Sequence, residues 1–269
     1  PCGLNPRVGI SAVACPEATS CKALLNAGTV YAWNGIAWST ERDGPGGELL
    51  TDLSCASTTA CKAVGFNGKI ISWDGSTWTN DVSGTTNDLN GVACLSPTFC
   101  KAVGDSGTIL TWNGSSWTAD ASAASSQFLG VDCADATLCK AVGNIGAISS
   151  WNGSQWAAET SGTTAVLNRV ACPAANICRA VGNDGAIRTW NGSAWSVELS
   201  STGTELYGIG CSSTTRCKAT GGGGAVFSWD GSGWTSDVNP SAFSLRGVSC
   251  TAGTQQCIAA GDNTVILGT

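Results

Sequence analysis

The chain has 269 residues, a net charge of −6 and only 12% charged residues, with 13 Lys and Arg against 19 Asp and Glu. That balance excludes a phosphate-gripping nucleic-acid binder, which needs a clustered excess of basic side chains. No run of apolar residues is long enough to span a membrane, and the absence of His removes the usual general base and commonest metal ligand.

Read in chain order, Pro1 to Arg7 come first, and a chain that opens on Pro without Met reads as a mature, processed product. Seven copies of one unit then follow. The first cysteine of each copy stands at Cys15, Cys55, Cys94, Cys133, Cys172, Cys211 and Cys250, a step of 40 residues once and 39 five times. A unit of that length, with alternating apolar residues and frequent glycine turns, predicts one four-stranded propeller blade. The expected fold is all-β: a single seven-bladed β-propeller over residues 1–269, with blades beginning near residues 8, 51, 90, 129, 168, 207 and 246.

The third copy, GVACLSPTFCKAVGDSGTILTWNG from Gly91 to Gly114, shows the internal plan. GVAC is strand A, small enough to line a central channel, and CKAVG is strand B. A turn at Asp105-Ser106 leads into strand C, TILTW, and a turn at Asn113-Gly114 returns the chain as strand D through Trp117. The string W-[ND]-G-x-x-W recurs at Trp33, Trp73, Trp112, Trp151, Trp190 and Trp229 and accounts for all twelve tryptophans. Both loop lengths open to this turn place the two Trp of a blade on one sheet face. In one reading they pack blade against blade. In the other, the strand D members Trp38, Trp78, Trp117, Trp156, Trp195 and Trp234 present rings to sugar faces at the outer rim.

An acid follows each strand D Trp by three residues, at Glu41, Asp81, Asp120, Glu159, Glu198 and Asp237. A base follows each second cysteine, at Lys22, Lys62, Lys101, Lys140, Arg179 and Lys218. Both are missing from the seventh copy, where Cys2 and Ile258 stand instead, so the two charges are expected to serve each other within a blade. A two-residue B–C turn puts Lys101 on the face of Trp112 and Trp117; a three-residue turn puts it with Asp120.

The seventh copy ends after IAAGDNTVILGT without a Trp hairpin. Cys2 lies as far before Cys15 as Asp81 lies before Cys94, so the N-terminal segment is expected to complete blade 7 as its fourth strand.

Fifteen cysteines fall into seven closely spaced pairs plus Cys2. Structural zinc favours shorter spacing with His, so seven local disulfides are expected: Cys15–Cys21, Cys55–Cys61, Cys94–Cys100, Cys133–Cys139, Cys172–Cys178, Cys211–Cys217 and Cys250–Cys257. The predicted compartment is extracellular, periplasmic or cell-surface. No metal and no cofactor is expected, and Cys2 is left unpaired or intermolecular. Asn113, Asn152 and Asn191 each head an Asn-Gly-Ser sequon, although a positive-φ turn position is also a sufficient reason for Asn.

The string C-x5-C-K-A-V-G-x-x-G-x-I-x-x-W-N-G-S-x-W resembles the repeat of secreted bacterial propeller proteins common in actinobacteria. Its second half is similar to the repeats of photosystem assembly factors of the Ycf48 type and to a degenerate Asp-box of sialidase-like propellers. The resemblance covers essentially the whole chain and implies an architecture, since propellers host lectins, hydrolases, lyases and scaffolds alike.

A sialidase-like site wants a Tyr nucleophile and clustered Arg, whereas Tyr31 and Tyr207 are the only tyrosines and the arginines are scattered. Asp52, Asp132 and other acids lie off the repeated acid position, but the sequence brings no two of them together. The expected function is therefore a non-enzymatic, lectin-like binding module with a glycan or extracellular protein partner. The alternative is a structural component of a surface or filament assembly, with self-association through blade 7 and Cys2. Connections from strand D to the next strand A vary most, and that side is expected to meet a protein partner.

Overall fold

The computed structural model describes residues 9–268 apart from 26, 45–47, 123–124, 200–201 and 239–241. Six antiparallel sheets each carry four strands in the order A-B-C-D, and a seventh carries three, Leu245–Cys250, Cys257–Gly261 and Thr264–Gly268. The expectation of seven four-stranded blades is thus corrected: the described residues form six full blades and a smaller last sheet. The physical reason lies in the last copy, which has no Trp hairpin to turn strand C back into a strand D. The N-terminal segment expected to supply that strand, and Cys2 within it, lie outside the described residues.

Successive strands A pack against one another around the axis. Blade 3 shows the strand limits: A is Leu89–Ser96, B Phe99–Gly104, C Ile109–Trp112 and D Trp117–Ala119. Small residues are required on the inner strands because a Cβ at Gly130 would sit 2.9 Å from the Asn168 carbonyl oxygen and 3.0 Å from the Arg169 Cα. Apolar residues of strands A, B and C then fill the space between adjacent blades, as Val103, Ile109, Phe128 and Val131 do between blades 3 and 4. At this radius two sheets approach face to face and exclude water, which is the main source of cohesion between blades.

The B–C turn contains three residues rather than two. In blade 3 the Gly104 amide donates to the Thr108 carbonyl, and Asp105–Gly107 form a single 3-10 turn with Ser106 at φ 56°. The middle residue takes the left-handed conformation at Asn67, Ser106, Ile145, Asp184 and Gly223 alike. This odd length rotates Lys101 onto the face that carries Asp120 and directs both toward the following blade.

At the C–D turn the positive φ belongs to glycine, at 97° for Gly114, and not to the preceding Asn. Asn113 is selected because its Oδ1 accepts the amides of Ser115 and Ser116 at 2.9 Å each. Asp74 and Asp230 make the same contacts without a sequon.

All seven expected disulfides are formed within their own blades. Each joins strands A and B across the loop between them, closing only a short stretch of chain. Such a link is worth about 2 kcal/mol by loop entropy.

Candidate functional site

The repeated charges build a clamp between blades. Lys101 Nζ lies 2.8 Å from Asp120 of its own blade and 2.6 Å from the Thr111 hydroxyl. Trp156 of the next blade donates its indole N–H to the same carboxylate at 2.8 Å, and the Trp151 ring lies over the ammonium at 3.5 Å. The two tryptophans touch with ring centroids 5.8 Å apart. One base, one acid and two indoles thus satisfy each other across the seam in a site that water scarcely reaches.

Among the described residues, five seams carry this arrangement. The bases are Lys22, Lys62, Lys101, Lys140 and Arg179, and the indole donors are Trp78, Trp117, Trp156, Trp195 and Trp234. Burial pulls the Lys62, Lys101 and Lys140 ammoniums below the ordinary lysine range, and the neighbouring carboxylates oppose that pull.

Five of the six tryptophans considered for sugar stacking are placed by these contacts, and Trp38 packs against Trp33 and the core between blades 7 and 1. Trp117, Trp156 and Trp195 are buried, while Trp38, Trp78 and Trp234 are half-buried. Packing between blades is therefore the reading that the geometry favours. In five of the six the indole is held against a carboxylate and a partner ring, which leaves no free face to offer a sugar.

A second constellation sits on the axis, where strands A enclose a tunnel of about 280 Å³. Three residues before the first cysteine the copies read Ala12, Asp52, Gly91, Gly130, Arg169, Gly208 and Gly247; one residue before it they read Ala14, Ser54, Ala93, Asp132, Ala171, Gly210 and Ser249. Three charges thus interrupt a lining of small residues, and all three face one tunnel. Asp52 lies 3.7 Å from Arg169, which also donates to the Leu129 carbonyl.

These side chains also satisfy amides on the inner edge of the next blade. Asp52 accepts the Val92 amide at 2.9 Å and Asp132 the Cys172 amide at 2.7 Å, while Ser54 and Ser249 accept those of Cys94 and Cys15 at 3.0 Å. Burial is the largest influence on both aspartates: it raises the Asp52 carboxyl against the opposing Arg169 charge and pushes Asp132 up to about 6, with the Asp52 charge adding to the rise. Arg169 did not stand out among scattered arginines. Aligning the copies column by column is the signal that reveals it.

The tunnel opens on the side of the D–A connections into a depression of about 460 Å³ lined by Leu49, Phe66, Leu129, Tyr207, Arg169 and Arg246. Arg246 is paired with Asp262 at 2.8 Å, and Tyr207 donates to Glu205 at 2.7 Å. Residues one position further out in strand A reach across to the next blade, as Asn90 and Asn168 do by donating to the carbonyls of Phe128 and Leu206. Leu129, Tyr207 and Arg246 occupy the same repeat position and line the mouth instead.

Among solved structures, the chain is similar to YCF48 bound to D1 peptide, with a TM-score of 0.79 and 15% identity over 98% of this chain and 94% of that one. YCF48 from Cyanidioschyzon merolae gives a TM-score of 0.76 and 16% identity over 98% and 97%. The RRP9 WD40 repeats give 0.81 and 10% over 96% and 88%. At such identities the likeness shows the β-propeller fold. No family model and no curated protein matches the chain.

Proposed function

We propose that this propeller is an extracellular protein-interaction module that receives a peptide segment at the mouth on the D–A side. The observation that carries this reading is the distribution of exposed apolar residues. Leu49, Phe66, Val82, Ile145, Val238 and Phe243 all lie in D–A connections or B–C turns, whereas Ile36 and Leu95 lie on the opposite side and Val197 on the rim. An apolar surface around a concave, partly charged mouth suits a protein partner.

Ile145 adds weight because it is 75% exposed and held at φ 57°. A β-branched residue is strained there, and Asn, Ser, Asp and Gly fill the equivalent position in blades 2, 3, 5 and 6. An apolar side chain kept at that cost and turned to solvent fits a contact residue. The peptide-bound neighbour is consistent with the same use of the fold, and seven disulfides suit an oxidising compartment. The tunnel charges are two carboxylates and two arginines rather than a nucleophile with its base, so a binding role accounts for them better than catalysis does.

The test is selection of short peptides from a display library on the immobilised protein, followed by binding to Leu49→Ser and Phe66→Ser variants. Loss of at least tenfold in affinity is expected. Selected peptides that bind both variants as well as the parent overturn the reading.

A further inference from the structure

The tunnel carries a charge that its architecture does not need. At the position before the first cysteine, Ser54 and Ser249 accept the next blade's amide as Asp132 does, and they do so without charge. A serine would therefore complete the backbone at Asp132 equally well. The other charges lining the tunnel are already matched, Arg169 with Asp52 and Arg246 with Asp262. Asp132 is the one carboxylate in the lining without a cation among the described residues.

We infer that the tunnel is a binding site for a primary ammonium group, held by Asp132 with Asp52 beside it and entered from the mouth between Phe66 and Tyr207. An ammonium has three donors on a compact head, and the lining offers two carboxylates and the hydroxyls of Ser54 and Ser249 as acceptors. Val13, Leu53, Val92, Val131, Val170 and Ile209 line the same cavity beside these polar groups, and such aliphatic walls suit an unbranched alkyl stem behind the ammonium. No group of three or more metal-ligating side chains occurs among the described residues, so a compact metal ion is the poorer fit. The ammonium comes either from a free alkyl diamine or from a lysine of a peptide lying across the mouth. The second source rests on the function proposed above; the first does not.

Titration supports the same conclusion. The groups facing Asp132 across the tunnel are Asp52, Arg169 and Arg246. With its carboxyl raised to about 6, the site loses its charge as the pH falls through that value, and an ammonium ligand is released with it.

The experiment is calorimetric titration of the whole chain with 1,5-diaminopentane and with the neutral 1,5-pentanediol, at pH 7.5 and pH 5. The diamine is expected to bind at pH 7.5, the diol not at all, and diamine affinity to fall at least tenfold at pH 5. Asp132→Asn keeps an oxygen for the Cys172 amide, so its thermal melt should show an intact fold while diamine affinity drops at least tenfold and loses its pH dependence. Equal binding of diamine and diol, or an Asp132→Asn variant that binds as the parent does, overturns the site. Phe66→Ser separates the sources, because it weakens a lysine-bearing peptide and leaves the diamine unchanged if the natural ligand is a lysine. If display yields no mouth-dependent peptide but the diamine still binds, the ammonium site stands and the peptide reading fails.

Discussion

Blades 5 and 6 meet through a clamp that the described residues do not form between blades 6 and 7, and the contrast shows what the clamp does. Arg179 is covered by the Trp229 ring, and its partner Glu198 receives the Trp234 indole. Lys218 and Asp237 of blade 6 form the same ion pair at 2.6 Å, but no indole among the described residues caps it. Their side chains are 22% and 30% exposed, against 5% and 12% for Arg179 and Glu198. The ion pair is a local property of each blade, whereas its burial is contributed by the neighbour's tryptophans. Coulombic coupling strengthens as water is excluded, so one pair should matter far more in a clamped seam than in the open one.

The sharpest way to break this comparison is to remove the base from each. Lys101→Met leaves Asp120 in a closed seam without its cation and is expected to cost about 3 kcal/mol. Lys218→Met should cost at most about 1 kcal/mol, as for a partly solvated pair. Chemical denaturation of the two variants checks this, and equal losses would show that the indoles add nothing.

Smaller effects sharpen the same contrast. Replacing Cys94 and Cys100 with Ala should cost about 2 kcal/mol under non-reducing conditions, the amount that loop entropy predicts for one local bridge. Trp156→Phe keeps a ring but deletes the donor to Asp120, and should cost about 1 to 2 kcal/mol by leaving that carboxylate short of one partner. Trp38→Phe provides the control, because the preceding blade has Ile258 where the others have a base.

A pH-dependent effect concerns the tunnel. Asp132 has a folded pKa raised above its unfolded value, so the stability it contributes is fully present below about pH 4 and is lost as the pH rises through about 6. The parent should therefore lose up to about 3 kcal/mol relative to Asp132→Asn between pH 4 and pH 7, the amount a rise of about two pKa units implies. Thermal melts of both proteins across that range measure the difference.

Much of this architecture is legible in the repeat itself. Seven cysteine pairs predicted seven local bridges because a fixed short spacing leaves a hairpin pair of cysteines little else to meet. The joint loss of Ile258's and Cys2's charged counterparts predicted that base and acid work together. The sequence left open whether Lys101 faced its own tryptophans or Asp120, since one residue in a turn decides a sheet face and Asp105-Ser106-Gly107 permits either length. It also could not show that Lys101 lies under the tryptophans of the following blade, because contacts between repeats carry no signature in a single unit. The tunnel was hidden for a related reason: Asp52, Asp132 and Arg169 stand in three different copies and meet only when the ring brings strands A around one axis.

On the proposed function the D–A side, and not the side of the disulfide loops, receives the partner. Hydrogen–deuterium exchange with and without a saturating selected peptide tests this most directly. Protection is predicted at the B–C turns around Phe66–Gly68 and Asn144–Gly146 and along the inner strands near Leu129 and Arg169, with no change at the Asn-Gly turns around Asn113 and Asn152. Protection confined to those Asn-Gly turns and the disulfide loops would contradict it.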